Sequence, residues 1–296
     1  MNDVATANFD PTIRASTLIE ALPYIQKLRG QTIVIKYGGS AMERPDLVES
    51  TLKDIVFLEA VGINPVVVHG GGKAISTRMK EKGLESHFVH GLRVTDEPSV
   101  RIVDEVLNKV INPDIVARIN SMGGHARSYQ GNRVLRVKKK KHFNEAGEEI
   151  DLGYVGEVIG CDVFDLRMAI SHEVVPVVSP VGEDRYGHPY NVNADTAAAE
   201  ITMALNAGRI IYLSDVRGIL KDPSNPETLI PTVTQEDVEQ LRVDGVLSGG
   251  MIPKMDSALQ VLHSGTEKVH LIDGRIPHAL LLELFTDRGI GTEIIH

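Results

Sequence analysis

The chain has 296 residues, 42% hydrophobic and 24% charged, with a formal net charge of −9 and a pI near 5.7. That length accommodates one large α/β unit or two lobes with a cleft between them, and the acidic balance argues against nucleic acid as the main partner. The lone Cys161 closes no intrachain disulfide, no apolar run approaches the roughly 18 residues of a membrane span, and the start MNDVATANFD lacks a secretory pattern, so a soluble cytoplasmic protein with no membrane partner is expected.

The first element is STLIEALPYIQKLRG (16–30), which reads as an amphipathic helix interrupted by Pro23 and closed by Gly30. It has no place in the alternation that follows, so it either packs on its own domain or serves as an arm for another subunit. Buried-strand candidates then recur with helices between them: TIVIKY (32–37), NPVVVH (64–69), EVVPVVS (173–179), RIIYLSD (209–215) and KVHLID (268–273). Between the first two, DLVESTLKDIVFLEAVG puts Leu47, Leu52, Ile55, Val56 and Leu58 on roughly one side of a helix. The alternation implies a mainly parallel sheet with helices on both faces, whose ligands sit beyond the carboxyl ends of the strands. KYGGS, HGGGK and LSDVRG all fall there.

NRVLRVKKKKHFNEAGEEIDLGYVGEV (132–158) reads as a β-hairpin turning at Asn144 to Gly147. Its lysines 138–141 are opposed by the acidic GEEID, which makes a charge-paired hairpin a better reading than a nucleic-acid patch. A link between lobes is expected near SPVGEDRYGHPYN (179–191), rich in Gly, Pro and polar residues.

In PVVVHGGGKAIS (65–76) a β-branched run stops on three glycines. Bare backbone N–H groups ahead of a helix suit a phosphate or carboxylate. Neither familiar fingerprint fits: Ala74 stands where a Walker loop needs Ser or Thr after Lys73, and Ile75 fills the last glycine slot of a dinucleotide loop. Four further elements reach the same edge. Lys36 ends a strand with Gly38 and Gly39 behind it, and Arg93 sits in HGLRVTD. NVNADTAAAEI places Asn191, Asn193 and Asp195 ahead of an alanine-rich helix, where an Asp is ordinarily an N-cap. LSGGMIPKMDSAL sets Gly249 and Gly250 before Lys254 in the first turn of another helix. Singly, each has an ordinary structural explanation. Together they are a polyanion-binding set, and no Ser–His–Asp or Cys–His pair and no zinc-spaced cluster competes with it. Phosphoryl transfer needs cations and N–H donors rather than covalent help, so the set points to a kinase.

KYGGSAM, VVVHGGGKAI, HGLRVT, NVNADTAAA, YLSDVRGIL and GGMIPKMDSA, in this order and spread over nearly the whole chain, resemble the amino acid kinase family, and within it the members that phosphorylate N-acetyl-L-glutamate. The resemblance implies an open three-layer αβα sandwich. Its expected parts are an arm at 1–30, an acceptor lobe at 31–185 and an ATP lobe at 186–296. It also implies ATP with Mg²⁺ carried by the nucleotide, and phosphorylation of the acceptor γ-carboxylate in the second step of arginine biosynthesis. By motif, Lys36 and Lys254 would stabilise the migrating phosphoryl group and Asp195 would orient them. Gly38, Gly39 and Gly71 would donate N–H groups to its oxygens. Gly71, Gly72, Arg93 and Asn191 would hold the acceptor, with Arg93 on its α-carboxylate. Gly249, Gly250 and Met251, with Ser214 and Asp215 of LSDVRG, would line the nucleotide site. The N-terminal helix resembles the arm of arginine-inhibited members, which are hexamers built as trimers of dimers. Tyr24, His270, Glu283 and Gly289 are the corresponding candidates for arginine contacts. Some relatives also bind a PII signalling protein. The alternatives are a sister enzyme such as glutamate 5-kinase, and a non-catalytic ligand-sensing module, against which the presence of both lysines and Asp195 argues.

Overall fold

The computed structural model describes residues 10–144, 146–247 and 251–296. Helix α1 spans Pro11–Leu28, opening at Pro11 rather than at Ser16, and Asp10 caps it by accepting from the Thr12 N–H at 2.9 Å. Pro23 lies inside the helix without interrupting it, contrary to the sequence expectation. Its ring removes one donor from a helix whose outer side faces solvent, so the carbonyl left over need not be satisfied within the chain. The chain then enters strand β1 (Thr32–Tyr37), helix α2 (Pro45–Ala60), strand β2 (Asn64–His69) and helix α3 (Gly72–Glu81). A two-residue hairpin, β3 (Phe88–Val89) with β4 (Leu92–Arg93), precedes α4 (Glu97–Asp104), a π-helical stretch at Glu105–Ile111, α5 (Asn112–Ser121) and strand β5 (Ala126–Tyr129).

One turn, α6 (Gly131–Val134), leads into β6 (Leu135–Lys139), β7 (His142–Phe143), β8 (Glu149–Ile150) and β9 (Gly156–Cys161). This is the expected hairpin: β6 pairs antiparallel with β9 and β7 with β8. Lys138 pairs with Glu157 at 2.9 Å and Lys139 with Asp151 at 2.7 Å. After α7 (Phe164–Ser171) and β10 (Val175–Val178), the stretch expected as a link forms a second hairpin, β11 (Val181–Glu183) with β12 (Pro189–Asn191). The remaining elements are α8 (Ala194–Leu205), β13 (Arg209–Ser214), β14 (Thr232–Thr234), α9 (Gln235–Val243), α10 (Met251–His263), β15 (Lys268–Asp273), α11 (Ala279–Leu284) and β16 (Thr292–Ile295).

Eight strands form one sheet in the order β14-β16-β15-β13-β1-β2-β10-β5, parallel except where β16 runs against β15. Successive side chains of its central strands enter different cores. Val34, Val66, Val68, Ile210 and Tyr212 pack on one face with α8 and α10, while Ile33, Ile35, Val67, Ile211 and Leu213 pack on the other with α2, α5 and α11. Burial on both faces explains why these strands read as unbroken apolar runs. A smaller sheet, β12-β11-β6-β9, borders the first core, so the mixed α/β architecture has three layers with an added four-stranded flap. The carboxyl ends of β1 and β2 stand side by side, with Lys36 opposite Val68 and Tyr212.

Candidate active site

Asn193, not Asp195, caps α8: its side chain accepts from the N–H groups of Asp195 at 2.8 Å and Thr196 at 3.1 Å. That leaves the Asp195 carboxylate, in the first turn, turned toward the sheet. Ala197, Ala198 and Ala199 are buried behind it, small enough to seat the helix close against the strands. Lys36 reaches Asp195 Oδ1 at 3.0 Å, and Lys254, from the first turn of α10, pairs with Oδ2. The Lys254 ammonium also lies 5.8 Å from the centre of the Tyr212 ring. The three side chains are only 13%, 19% and 21% exposed for Lys36, Lys254 and Asp195. Burial pushes the Asp195 carboxyl up, but the two ammonium groups outweigh it and hold the group below the usual carboxylate range. Two cations on one anion leave an excess positive charge where water is scarce. An incoming anion completes the balance.

Glycines wall the adjoining cavity, about 230 Å³ in volume, which Lys36, Gly38, Gly39, Gly70, Gly71 and Gly72 line on one side. A Cβ on Gly38 would come within 2.9 Å of Lys36 Nζ, and one on Gly71 would meet Leu107 and Ile111 of the π-helical stretch at 2.6 Å. A side chain at Gly38 would displace the Lys36 ammonium, and one at Gly71 would force Leu107 and Ile111 to shift. Asp215 turns back on this wall, accepting from the Ser40 N–H at 2.9 Å, so its carboxylate supports the loop after β1.

The far end of the cavity is built on Arg93, which is buried. One arm of its guanidinium donates to the Gly72 carbonyl at 2.8 Å and to Ser76 Oγ at 2.9 Å, and the other donates to Ser86 Oγ. Phe88 stacks on it at 4.6 Å. Burial lowers the Arg93 pKa, but a guanidinium starts so high that it stays charged. Asn191 donates to Thr95 Oγ1 at 3.3 Å, and Asn193, Val155, Pro180 and Leu107 are also in the lining. The cavity thus has a cationic, glycine-bared end at Lys36 and a guanidinium end at Arg93. Positive charge at both ends suits an anionic ligand.

His69, at the last position of β2, is fully buried, and burial pushes its ring down to about 4. The folded chain keeps it neutral while the unfolded chain protonates it below about 6.5, so its contribution is complete above that pH and is lost as pH falls toward 4. Between pH 7 and 4.5 the wild-type protein is expected to lose on the order of 2 kcal/mol relative to His69→Asn, which has no titrating ring. Urea unfolding of both proteins at the two pH values measures that gap, and an unchanged gap rejects a neutral buried imidazole.

Other expected residues are distributed as follows. Ser214 is buried at the end of β13 with its Oγ 3.4 Å from the Val216 N–H, and Met251 opens α10. Gly249 and Gly250 lie outside the described residues. Tyr24, His270, Glu283 and Gly289 converge on a separate cavity of about 460 Å³, together with Lys268 and Asp287. His270 Nδ1 donates to Glu283 Oε1 at 2.7 Å, and the N–H groups of Ile290 and Gly291 donate to Oε2 at 2.8 and 3.0 Å. Burial pushes the Glu283 carboxyl up, yet these donors overcome it and hold the group down. Tyr24 donates from α1 to Asp287 across the cavity mouth. Sequence reasoning missed Ser76, Ser86, Phe88 and Leu107. Ser76 lay inside the quoted glycine motif, but a helix residue four places on carries no separate mark, and the other three act only through tertiary contact.

Residues 31–273 match the family model described as the amino acid kinase family. An acetylglutamate kinase from Akkermansia muciniphila is 49% identical over 283 residues, covering 95% of each chain. Among solved structures, N-acetylglutamate synthase from Neisseria gonorrhoeae complexed with coenzyme A and N-acetyl-glutamate superposes with a TM-score of 0.81 at 26% identity, over 95% of this chain and 63% of that one. The same synthase complexed with coenzyme A and L-arginine gives 0.79 at 27%, over 95% and 65%. The present chain therefore spans under two thirds of the synthase.

Proposed function

The chain belongs to the amino acid kinase family, and on that premise we infer acetylglutamate kinase activity: transfer of the γ-phosphoryl group of ATP to the γ-carboxylate of N-acetyl-L-glutamate, in arginine biosynthesis. The single observation that carries the site assignment is the meeting of Lys36 and Lys254 on Asp195 beside the glycine-walled cavity. In this reading Arg93 holds the acceptor α-carboxylate, with Asn191 and Gly72 beside it, and the γ-carboxylate lies toward Gly71 and Lys36. That carboxylate is already a nucleophile at neutral pH, so no general base is required, and among the lining residues none is placed as one. Backbone N–H groups at Gly38, Gly39 and Gly71 and the two ammonium groups take up charge on the migrating phosphoryl oxygens. Ser214, Asp215 and Met251 would hold the nucleotide, with Gly249 and Gly250 assigned to it by motif alone, and Mg²⁺ carried by ATP would supply charge neutralisation to its phosphates. ATP turnover measured in parallel with N-acetylglutamate, glutamate, aspartate, carbamate and UMP tests the reading. Turnover confined to N-acetylglutamate supports it, and turnover with another acceptor but not that one rejects it.

The same inference extends to regulation. Arginine is the proposed inhibitor, bound in the cavity that Tyr24, His270, Glu283 and Gly289 share, and the proposed assembly is a hexamer joined through α1. Support comes from the convergence of those residues, and from the arginine complex of the synthase that this chain resembles. Three of the four lone-pair positions on Glu283 are already engaged, so a bound guanidinium would compete for the one left on Oε1. Asp287 and Glu293 add two further carboxylates to the cavity lining.

A further inference from the structure

His69 takes no part in the reaction described above, although it stands directly before the glycines that line the site. Its Nδ1 lies 2.8 Å from the carbonyl oxygen of Gly70. A carbonyl only accepts, so Nδ1 carries the proton and Nε2 the lone pair. Nε2 is buried with no partner among the described residues. The opposite tautomer would bury an orphan N–H there and set two acceptors face to face at Gly70, so the tautomer is fixed by its surroundings.

The consequence falls on the next peptide. The Gly70 N–H donates to the Tyr37 carbonyl at 2.7 Å, which ties the second glycine loop to the end of β1. The Gly70 carbonyl is held by His69, and no cis peptide occurs among the described residues. In a trans peptide the C=O and the following N–H point in opposite directions. Holding the Gly70 oxygen toward the ring therefore turns the Gly71 N–H away from it, and among the described residues no protein acceptor meets that N–H. Three successive glycines have little of their own to fix such a direction, since each is unusually free to rotate. The peptides on either side are pinned separately, by the Gly70 N–H on Tyr37 and by the Ile75 N–H on the Gly71 carbonyl at 2.9 Å, and His69 supplies the hold on the peptide between them.

We propose that His69 is a positioning residue, which through its Nδ1–H bond to the Gly70 carbonyl aims the Gly71 N–H at the migrating phosphoryl group. It touches no substrate, and the proposal rests on the phosphoryl-transfer reading of the site. His69→Asn keeps a donor close to the Nδ1 position, His69→Gln moves it to that of Nε2, and His69→Leu removes it. With MgATP and N-acetylglutamate, kcat is expected to fall about 10- to 100-fold in the Leu and Gln variants, a fraction of what loss of a whole oxyanion donor costs. The Asn variant should restore most of the rate, and KM for both substrates should move by less than about threefold throughout. Equal losses in all three, or full turnover with Leu, overturn the proposal. Should the Leu and Gln variants fail to fold, ring ¹⁵N shifts of the wild-type protein decide, assigned by their loss in His69→Asn. An Nδ1–H tautomer unchanged from about pH 5 to 9 supports the hold on Gly70, and an Nε2–H tautomer or protonation in that range overturns it. A wild-type protein inactive on N-acetylglutamate would instead remove the reaction reading itself, an outcome separate from any ranking of the variants.

Discussion

Lys36→Arg and Lys254→Arg are each expected to lower kcat by about 10²- to 10³-fold while KM for both substrates moves by less than about fivefold. The size follows from what the ammonium groups do. Both already sit on Asp195 before substrate arrives, so their attraction for bound ATP and acceptor is partly spent on that carboxylate. Charge that gathers on the phosphoryl oxygens during transfer gives them a second partner, and that gain exists only at the transition state. Arginine keeps the charge but loses the geometry. Its planar fork favours two parallel bonds to one carboxylate, so it would clamp Asp195 rather than share itself. Steady-state kinetics with both substrates varied, beside thermal unfolding to establish intact folding, measure the effect. Wild-type turnover in either variant rejects the role.

How much of this was legible beforehand depended on where each signal lives. The strands β1, β2 and β15 match the apolar runs residue for residue, because burial on both faces writes itself into every position. The cation pair was legible for a related reason: strand ends and helix first turns are marked by glycines and alanines that the backbone needs. Signals dependent on a choice between neighbours were harder. From its position alone Asp195 has the ordinary reading of a cap and its place between the lysines came from resemblance, while the structure shows Asn193 taking the cap. The stretch 179–191 has a linker's composition, yet Asp184 closes a turn by accepting from the N–H groups of Tyr186 and His188, and the two arms pair as a hairpin. Turn residues mark both cases alike. Leu107 and Ile111 were out of reach altogether, since their contact with Gly71 depends on a π-helical register that no apolar period announces. The convergence of Tyr24 with Gly289 came from resemblance, not from spacing.

Deleting residues 1–25 is expected to cut the mass in solution to about a third, from a hexamer to a dimer, and to weaken arginine inhibition by at least about tenfold. The structure supplies the physical reason. Of the 18 residues of α1, only Leu28 is buried, while Ile13, Leu18, Ile19 and Leu22 are between 43% and 69% exposed. Among the described residues nothing covers these four large apolar side chains, and a second copy of the helix would bury them. The carboxyl-terminal part of α1 faces inward instead. Tyr24 bonds to Asp287 and stands edge-on to Phe285 at 6.4 Å, in the wall of the proposed arginine cavity. In the proposed assembly one helix would carry the intersubunit contact at one end and a cavity wall at the other, which would link occupancy of the cavity to the orientation of the arm. Tyr24→Phe separates the two roles: it removes the bond to Asp287 and leaves the exposed apolar residues in place, so it should weaken inhibition without changing the mass. Light scattering with and without arginine, beside inhibition curves for both proteins, measures this. An unchanged hexamer after truncation rules out the arm as the joint, and a dimer still inhibited at wild-type arginine concentrations breaks the link between arm and cavity.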